Sequence, residues 1–537
     1  MLRVITGQRF RYLVVILVTV GVVGLFAGSM PAGERTAQED KVKYGQKRLG
    51  FYLHGCWKYN YPFAVRSWKK DDYHNMFQLL KQLGFNTVML WPALEAVPMP
   101  LSEEDREAVR GFRPIIEDAQ KCGLETWLTL CIVTSQAEIA AKPWMERSLY
   151  YYMKTVWLNN PEEAKAYLKH RAALLEILNN ADGYVTIDGD PGGYPGATPD
   201  KYLMVLLNDR KVIDRVGTHH KTQRIIPWVW AGWGTKGVWQ EPIEPFVRAT
   251  LKALKQKMVE PWEMLPGRSY REGRANGRIN FAFAKEEGLL DRSTLMCYES
   301  IEFEPIPPLG RLQFENIRKV LLQEMKESAG ARGWFGNAQQ PIMVLPNLYL
   351  FARGTADPSY LAKSDEEVLC DLAELLGGPR KLLVPAWMCL RLKLEEIPTD
   401  LPAKLRAAKL SGEAAAYIPG GAKRYLEILA AETDSQIRLL RACAKKAHSP
   451  EEAARVITEG TGALVDWWKL HRYVRMGKGD EPFQWNFGTR YPILQRWCAQ
   501  NVSNPKIVRE MAAQEIVRRG ILTEKVARER VSELLKR

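Results

Sequence analysis

Residues 71–92 read DDYHNMFQLLKQLGFNTVMLWP. Met76, Leu79, Leu80 and Leu83 recur at helical spacing, so Asp71 to Leu83 is predicted as a helix with one apolar face. Gly84 ends it, because glycine adopts the left-handed conformation that closes a helix without a Cβ penalty. Thr87 to Trp91 is then a short strand, stopped by Pro92. Polar residues do not alternate along that strand, which suits burial on both faces, as in a parallel sheet covered by helices.

The same unit repeats in both directions. Gly50-Phe-Tyr-Leu-His-Gly55 is a strand upstream. Downstream come a helix from Ser102 to Lys121, a strand from Glu125 to Val133, a helix from Pro161 to about Asn180, and a strand from Gly183 to Asp188. A helix from Pro199 leads to a fifth strand, Arg224 to Trp230, and Glu241 to Met258 is helical. The sixth strand is assigned to Pro261–Leu265, with its helix around Asn280 to Leu290. Thr294–Tyr298 is the seventh strand, Phe314–Ser328 a helix, Gly333–Gly336 the eighth strand, and a closing helix starts near Pro341. Eight strand–helix units predict an α/β fold of the (β/α)8 TIM-barrel type. An open doubly wound sheet is disfavoured, since no glycine-rich phosphate turn follows the first strand. Beyond residue 360 only helices are predicted: from Ser364, Pro402 to Leu410, Gly421 to Ala447, Pro450 to Val474 and Pro505 to Leu535. The expected organisation is an export segment over 1–30, a polar linker over 31–48, the barrel over 49–358 and a C-terminal α-helical domain over 359–537.

The first thirty residues carry Arg3, Arg9 and Arg11 before the apolar run Tyr12 to Gly28, then small residues. That order describes a signal peptide, and the run also approaches the length of an uncleaved membrane anchor. Both predict an exported protein: periplasmic, secreted or held at the cell membrane. The 537-residue chain is 46% hydrophobic, ample for a large core, and carries a net charge of +14. Its basic residues are dispersed among acidic ones, without the blocks or motifs of nucleic-acid binding, so no nucleic-acid partner is expected. An anionic glycan or envelope surface fits the charge better. The eight cysteines form no CxxC pair, and buried free thiols are expected of them. No Gly-x-Ser-x-Gly elbow, His-Glu-x-x-His helix or phosphate-binding loop is present. Neither a metal nor a cofactor is expected.

Function in such a barrel sits at the C-terminal ends of the strands. Strand four runs into Asp188-Gly-Asp190-Pro-Gly-Gly193, and strand seven into Tyr298-Glu299. Side chains two apart on an extended chain point the same way, so Asp188 and Asp190 share a side. Two carboxylates at a strand end can divide acid and base work, because repulsion and partial burial keep one protonated. The alternatives are an Asp-x-Asp metal ligand pair or a loop cap. Glu299 is the second carboxylate if the pair shares one duty, with Tyr298 stabilising developing charge. Trp57, Trp91, Trp228, Trp230, Trp233 and Trp334 mark strand ends or strands, and flat indoles stack on the C–H faces of sugars. Each is open to a plain packing role. Asn337 is an amide suited to sugar hydroxyls, and His54 is either a hydroxyl partner or a satisfied core histidine. Arg268 opens an arginine-rich loop with Arg271, Arg274 and Arg278, suited to an anionic sugar or to solvent.

Arg66-Ser-Trp68, the run from Gly84 to Pro92, Asp188-Gly-Asp190-Pro-Gly-Gly193, Gly336-Asn337-Ala-Gln339 and Leu345-Pro346-Asn347 together resemble bacterial barrel glycosidases related to the β-N-acetylhexosaminidases, over about residues 50 to 390. The resemblance implies a barrel with its acid at the end of strand four. In that family the acid usually stands in an adjacent Asp-Glu pair after His-x-Gly-Gly, and the Asp orients the substrate acetamido group that acts as nucleophile. This chain departs from the pattern with Asp188-Gly-Asp190. The expectation is a glycoside hydrolase acting on an oligo- or polysaccharide of the envelope or exterior, N-acetylhexosamine-containing or anionic. In this reading Asp190 is the general acid, Asp188 the orienting group or base, and Glu299 the reserve partner. The alternative is a non-catalytic glycan-binding barrel of the envelope.

Overall fold

A computed structural model describes residues 47–55, 60–92, 94–130, 156–187, 198–229, 243–269, 276–298, 300–301, 312–389, 397–471 and 491–536. Eight strands alternate with helices: β1 (Arg48–Leu53), β2 (Thr87–Leu90), β3 (Glu125–Leu130), β4 (Gly183–Ile187), β5 (Arg224–Trp228), β6 (Gly267–Ser269), β7 (Thr294–Tyr298) and β8 (Gly333–Ala338). They form one sheet in the order β5-β4-β3-β2-β1-β8-β7-β6, and every pairing is parallel. A parallel bridge between Ile225 and Trp262 joins the two ends of the sheet. It is reinforced by hydrogen bonds from Glu263 N to Ile225 O, 3.2 Å, and from Leu265 N to Pro227 O, 3.0 Å. The sheet is thereby a closed barrel.

The helices between strands are α1 (Lys70–Leu83), α2 (Glu103–Arg110), α3 (Arg113–Lys121), α4 (Pro161–Ile177), α5 (Pro199–Val216), α6 (Ile243–Lys257), α7 (Asn276–Glu286), α8 (Phe314–Glu327) and α9 (Leu345–Ala356). Gly84 caps α1 at φ 95°, the left-handed geometry its position predicts. The single helix expected over Ser102–Lys121 is instead two. The chain turns at Gly111-Phe112, and Pro114 sits in the first turn of α3, where its missing N–H costs nothing. The segment expected as the sixth strand, Pro261–Leu265, contributes bridges to Ile225 and Ser293, while the strand itself lies at Gly267–Ser269.

Side chains alternate between two cores. Phe51, Val88, Leu128, Tyr184, Ile225, Leu295 and Trp334 face the helical layer. Tyr52, Met89, Trp91, Trp127, Val185, Ile187, Ile226, Trp228, Leu265, Met296 and Phe335 fill the lumen. The lumen is thus a packed core and not a channel.

Helices continue past the barrel as α10 (Asp365–Leu375), α11 (Arg380–Met388), α12 (Leu401–Ala407), α13 (Glu413–Ala416), α14 (Ala422–Cys443), α15 (Pro450–His471), α16 (Tyr491–Asn501), α17 (Pro505–Arg518) and α18 (Glu524–Leu534). Ser364 and Glu367 cap α10 reciprocally. The helix expected over Pro505–Leu535 divides at Gly520, φ 65°. The outer apolar core of the barrel runs on to Ala430, and a second core links Leu439 to Leu535. The end of α15 reaches the chain between β1 and α1. Asn60 N donates to His471 O, 2.9 Å, Asn60 Nδ2 donates to Lys469 O, 2.8 Å, and the Phe63 and His471 rings lie 4.5 Å apart.

The described cysteines, Cys122, Cys297, Cys370, Cys389, Cys443 and Cys498, are free thiols; Cys297, Cys389 and Cys498 are buried as expected, whereas Cys122, Cys370 and Cys443 are half-buried. Among the described residues no helix is long and apolar enough to cross a membrane. The apolar run Tyr12 to Gly28 lies outside those residues.

Candidate active site at the strand ends

The barrel is layered from a charged floor to an aromatic mouth. The floor consists of residues at the strand starts. Arg48 donates to Glu263, 2.6 Å, and to Glu125, 3.3 Å. Arg224 donates to Glu125, 2.7 Å, and its Nε lies 3.6 Å from Glu263. Thr294 and Trp127 donate to Glu263 and Glu125 respectively. Burial alone would push the Glu125 carboxyl up, but Arg48, Arg224 and the Trp127 indole N–H outweigh it and hold the group down at about 2. This cluster seals the N-terminal end, which in a barrel of this kind serves stability.

Above it, the Trp127 and Phe335 rings meet at 4.8 Å and block the lumen. Towards the C-terminal end, β1, β2 and β5 bring Tyr52, His54, Trp91 and Trp228 together. Tyr52 stacks on Trp91 with centroids 5.9 Å apart and planes 10° from parallel. The His54 ring lies 4.4 Å from Trp91, and the Trp228 and Tyr52 rings meet at 5.6 Å with planes 76° apart. Asn337 is in register with Tyr52 and buried. Gly55 lets the chain leave β1 here, since a Cβ at that position would stand 2.5 Å from Trp91 O. Desolvation lowers the His54 pKa to about 3, so its imidazole is neutral at physiological pH and can donate and accept hydrogen bonds.

Two further networks hold the strand ends from outside. Arg171 on α4 donates to both carboxylate oxygens of Asp209 on α5, 2.8 and 2.7 Å, to Tyr167 Oη, 2.9 Å, and to Thr186 Oγ1, 2.6 Å. Thr186 is the penultimate residue of β4, two positions before Asp188. After β7, Ser300 N and Oγ both donate to Cys297 O, at 3.3 and 2.7 Å, bracketing position 299. Asn347 on α9 donates to Ile301 O, 2.9 Å, and accepts from Gln313 N, 2.9 Å. One buried amide thus ties both flanks of the segment 302–312. Sequence reasoning missed Arg171, Asp209 and the floor, and it quoted Asn347 only for its motif. A charged residue inside an otherwise apolar helical face, as at Arg171, is the signal that marks such anchors.

Of the residues expected at the site, His54, Trp91, Trp228 and Asn337 are brought together at the upper lumen. Trp91 and Trp228 are 6% and 5% exposed, so they form the wall beneath the mouth, not an open rim. Trp334 is a correction. It faces the helical layer, and its indole N–H donates to Ser328 Oγ, 3.2 Å, because it alternates with the inward-facing Phe335. Asp188, Asp190, Glu299, Trp57, Trp230 and Trp233 lie outside the described residues, as do the side chains of Arg268 and Tyr298, whose backbones belong to β6 and β7.

No protein-family model matches this chain, and no curated protein does. Solved structures similar to this chain include glycosidases. They include an O-GlcNAc hydrolase mutant of Thermobaculum terrenum, at 13% identity over 92% of this chain and 95% of that one, with a TM-score of 0.38. A glycoside hydrolase family 5 enzyme of Prevotella bryantii B14 is 12% identical over 61% of this chain and all of its own, TM-score 0.38. Cel5A of Thermotoga maritima, in complex with mannotriose, is 13% identical over 55% and 92% of the two chains, TM-score 0.32. Likeness at this level carries no inference about substrate or mechanism.

Proposed function

We propose that this protein hydrolyses glycosidic bonds at the C-terminal mouth of its barrel. One observation carries the reading: β4 and β7 end at Ile187 and Tyr298, directly before Asp188 and Glu299, and both are parallel members of the same closed ring. Parallel strands end on one face, so acids following these two strands start from the same end of the barrel. Beneath that mouth lie the neutral His54 and the aromatic wall of Trp91 and Trp228, residue types that suit a carbohydrate-binding floor.

In this reading Asp190 donates a proton to the glycosidic oxygen as the bond to the anomeric carbon breaks. Water supplies hydroxide to that carbon, directly or after a covalent intermediate, and its remaining proton returns to a carboxylate. Asp188 orients the substrate or acts as base, and Glu299, which follows β7, is the reserve partner. A carboxylate separation of about 5 Å would give retention, and about 6.5 to 9.5 Å inversion. The substrate class is an envelope or extracellular oligo- or polysaccharide, N-acetylhexosamine-containing or anionic, with Arg268 the candidate partner of an anionic group. The arginines ahead of the apolar run Tyr12 to Gly28 support export, by a cleaved or an anchoring segment.

Hydrolysis of a glycan panel by the wild type and by Asp188→Asn, Asp190→Asn and Glu299→Gln tests the reading. Loss of a general acid should lower turnover by about 10²- to 10⁴-fold. Unchanged turnover in both Asp190→Asn and Glu299→Gln overturns the catalytic assignment. Wild-type glycan binding without product release favours a non-catalytic binding barrel instead.

A further inference from the structure

A second cluster of chemistry-bearing side chains lies outside the barrel, far in sequence from the residues assigned above. His74 projects from α1, Asp118 from α3, and Cys122 from the residue that caps α3. Asp118 and Cys122 are one helical turn apart, and the Cys122 N–H still donates to Asp118 O, 2.9 Å, so both side chains leave the same face. His74 Nδ1 stands 3.1 Å from each carboxylate oxygen of Asp118. The nitrogen, a carboxylate oxygen and the Cys122 sulfur all lie within 4.8 Å of one another. One turn on from His74, Gln78 Nε2 donates to Cys122 Sγ, 3.4 Å.

We propose that His74, Asp118 and Cys122 form a binding site for a zinc-class divalent cation that clamps α1 to α3. Imidazole, carboxylate and thiolate are the donor set of borderline-soft ions, and calcium or magnesium would require oxygen ligands throughout. Two ligand atoms about 2.0 to 2.1 Å from a tetrahedral zinc stand about 3.3 Å apart. The His74–Asp118 separation therefore already suits a shared ion. The sulfur completes the sphere with a movement of about 1 Å, towards its bond length of about 2.3 Å. His74 is 45% exposed, which provides the entry path, whereas Asp118 is 18% exposed and held between the helices. Gln78 supplies a hydrogen bond that orients the sulfur, as outer partners do in metal sites. Lys81 is the nearby opposing charge, and its ammonium is turned onto Gly123 O, 3.3 Å. Three protein ligands leave a fourth position for water. Gly123 and then Glu125, the first residue of β3, follow directly, so the site lies at the end of the barrel opposite the mouth. Its role is to staple the helical layer, independent of any glycosidase chemistry.

The test is titration of the full chain, stripped of metal by a chelator, with Co²⁺ and then Zn²⁺. The expected result is one equivalent of Co²⁺ giving a thiolate-to-cobalt charge-transfer band, its displacement by Zn²⁺, and a higher melting temperature with Zn²⁺. Cys122→Ser should abolish the band, and His74→Gln should weaken Zn²⁺ binding by at least about tenfold. Cys370→Ser and His219→Gln should change neither, and circular dichroism establishes that each variant is folded. Absence of the band in the folded wild type overturns the site, as does a band that survives in folded Cys122→Ser. Glycan hydrolysis is not among these readouts, so failure here leaves the catalytic reading intact.

Discussion

Replacing Glu125 by glutamine removes one of the two carboxylates that neutralise Arg48 and Arg224 on the barrel floor, while keeping the side chain's shape. The cost follows from the carboxyl's proton affinity. Its pKa falls from 4.5 to about 2 in the fold, because Arg48, Arg224 and the Trp127 N–H more than offset burial. At about 1.4 kcal/mol per tenfold change in affinity, that difference is about 3 kcal/mol. Leaving one partner of a buried pair uncompensated costs about 3–5 kcal/mol, which agrees. The folded pKa is depressed, so this stability is fully present above pH 4.5 and is lost as pH falls through about 2. By pH 3 about 2 kcal/mol is gone. Denaturant unfolding at pH 7 should therefore show Glu125→Gln about 3 kcal/mol less stable. With an unfolding entropy of about 1 kcal/mol/K for roughly 490 residues, melting should fall by about 3 °C. The two proteins should converge as the pH approaches 3. A variant within about 0.5 kcal/mol of wild type at pH 7, with a parallel acid profile, would refute the claim that this cluster stabilises the fold.

Three other perturbations probe different links. Gly333→Ala would put a Cβ 2.1 Å from Arg48 O and 2.5 Å from Arg48 N, atoms of a paired strand that cannot swing aside. It should cost about 3 kcal/mol, whereas Gly84→Ala, with open space but φ 95°, should cost about 1 kcal/mol, both read from urea midpoints. Asn347→Ala removes the amide that ties Ile301 to Gln313, so it should lower stability by about 1–3 kcal/mol and increase proteolytic nicking within residues 302–311. His54 titrates near 3 in the fold against 6.5 ordinarily, because burial disfavours its charge. Acid therefore protonates the unfolded chain first, and stability from this group is full above pH 6.5 and lost as pH falls towards 3. His54→Gln should flatten the stability–pH slope between 6.5 and 4, and an unchanged slope would contradict its desolvation.

The barrel was legible where local chemistry and tertiary pairing agree. Thr294–Tyr298 has the predicted bounds because its apolar run is buried on both faces, and Gly84 ends α1 for a reason local to one residue. Long helices were overcalled where the apolar period continues across a break, at Gly111-Phe112 and again at Gly520. Strand six was misplaced because Pro261–Leu265 carries the apolar residues and contributes bridges, whereas the three-residue β6 carries almost no pattern. For the candidate site, strand-end position is enough to predict that His54, Trp91 and Trp228 converge at one end of the lumen. Trp334 was misassigned because residue type cannot reveal which way a side chain alternates. The floor was invisible for a different reason. Arg48 and Glu263 are 215 positions apart, and at strand starts each looks like a solvated boundary until the ring closes. The same holds for His74 and Asp118, 44 positions apart and in no motif.

The junction of Asn60 and Phe63 with His471 carries a practical corollary. A protein trimmed to the eight strand–helix units would shed the buttress that anchors the first connection above β1, and it would bare the underside of Phe63 to water. Shortening from the carboxyl end would therefore disturb the entrance before it disturbed the staves, and an inactive truncate would say nothing against the proposed roles of Asp188, Asp190 and Glu299.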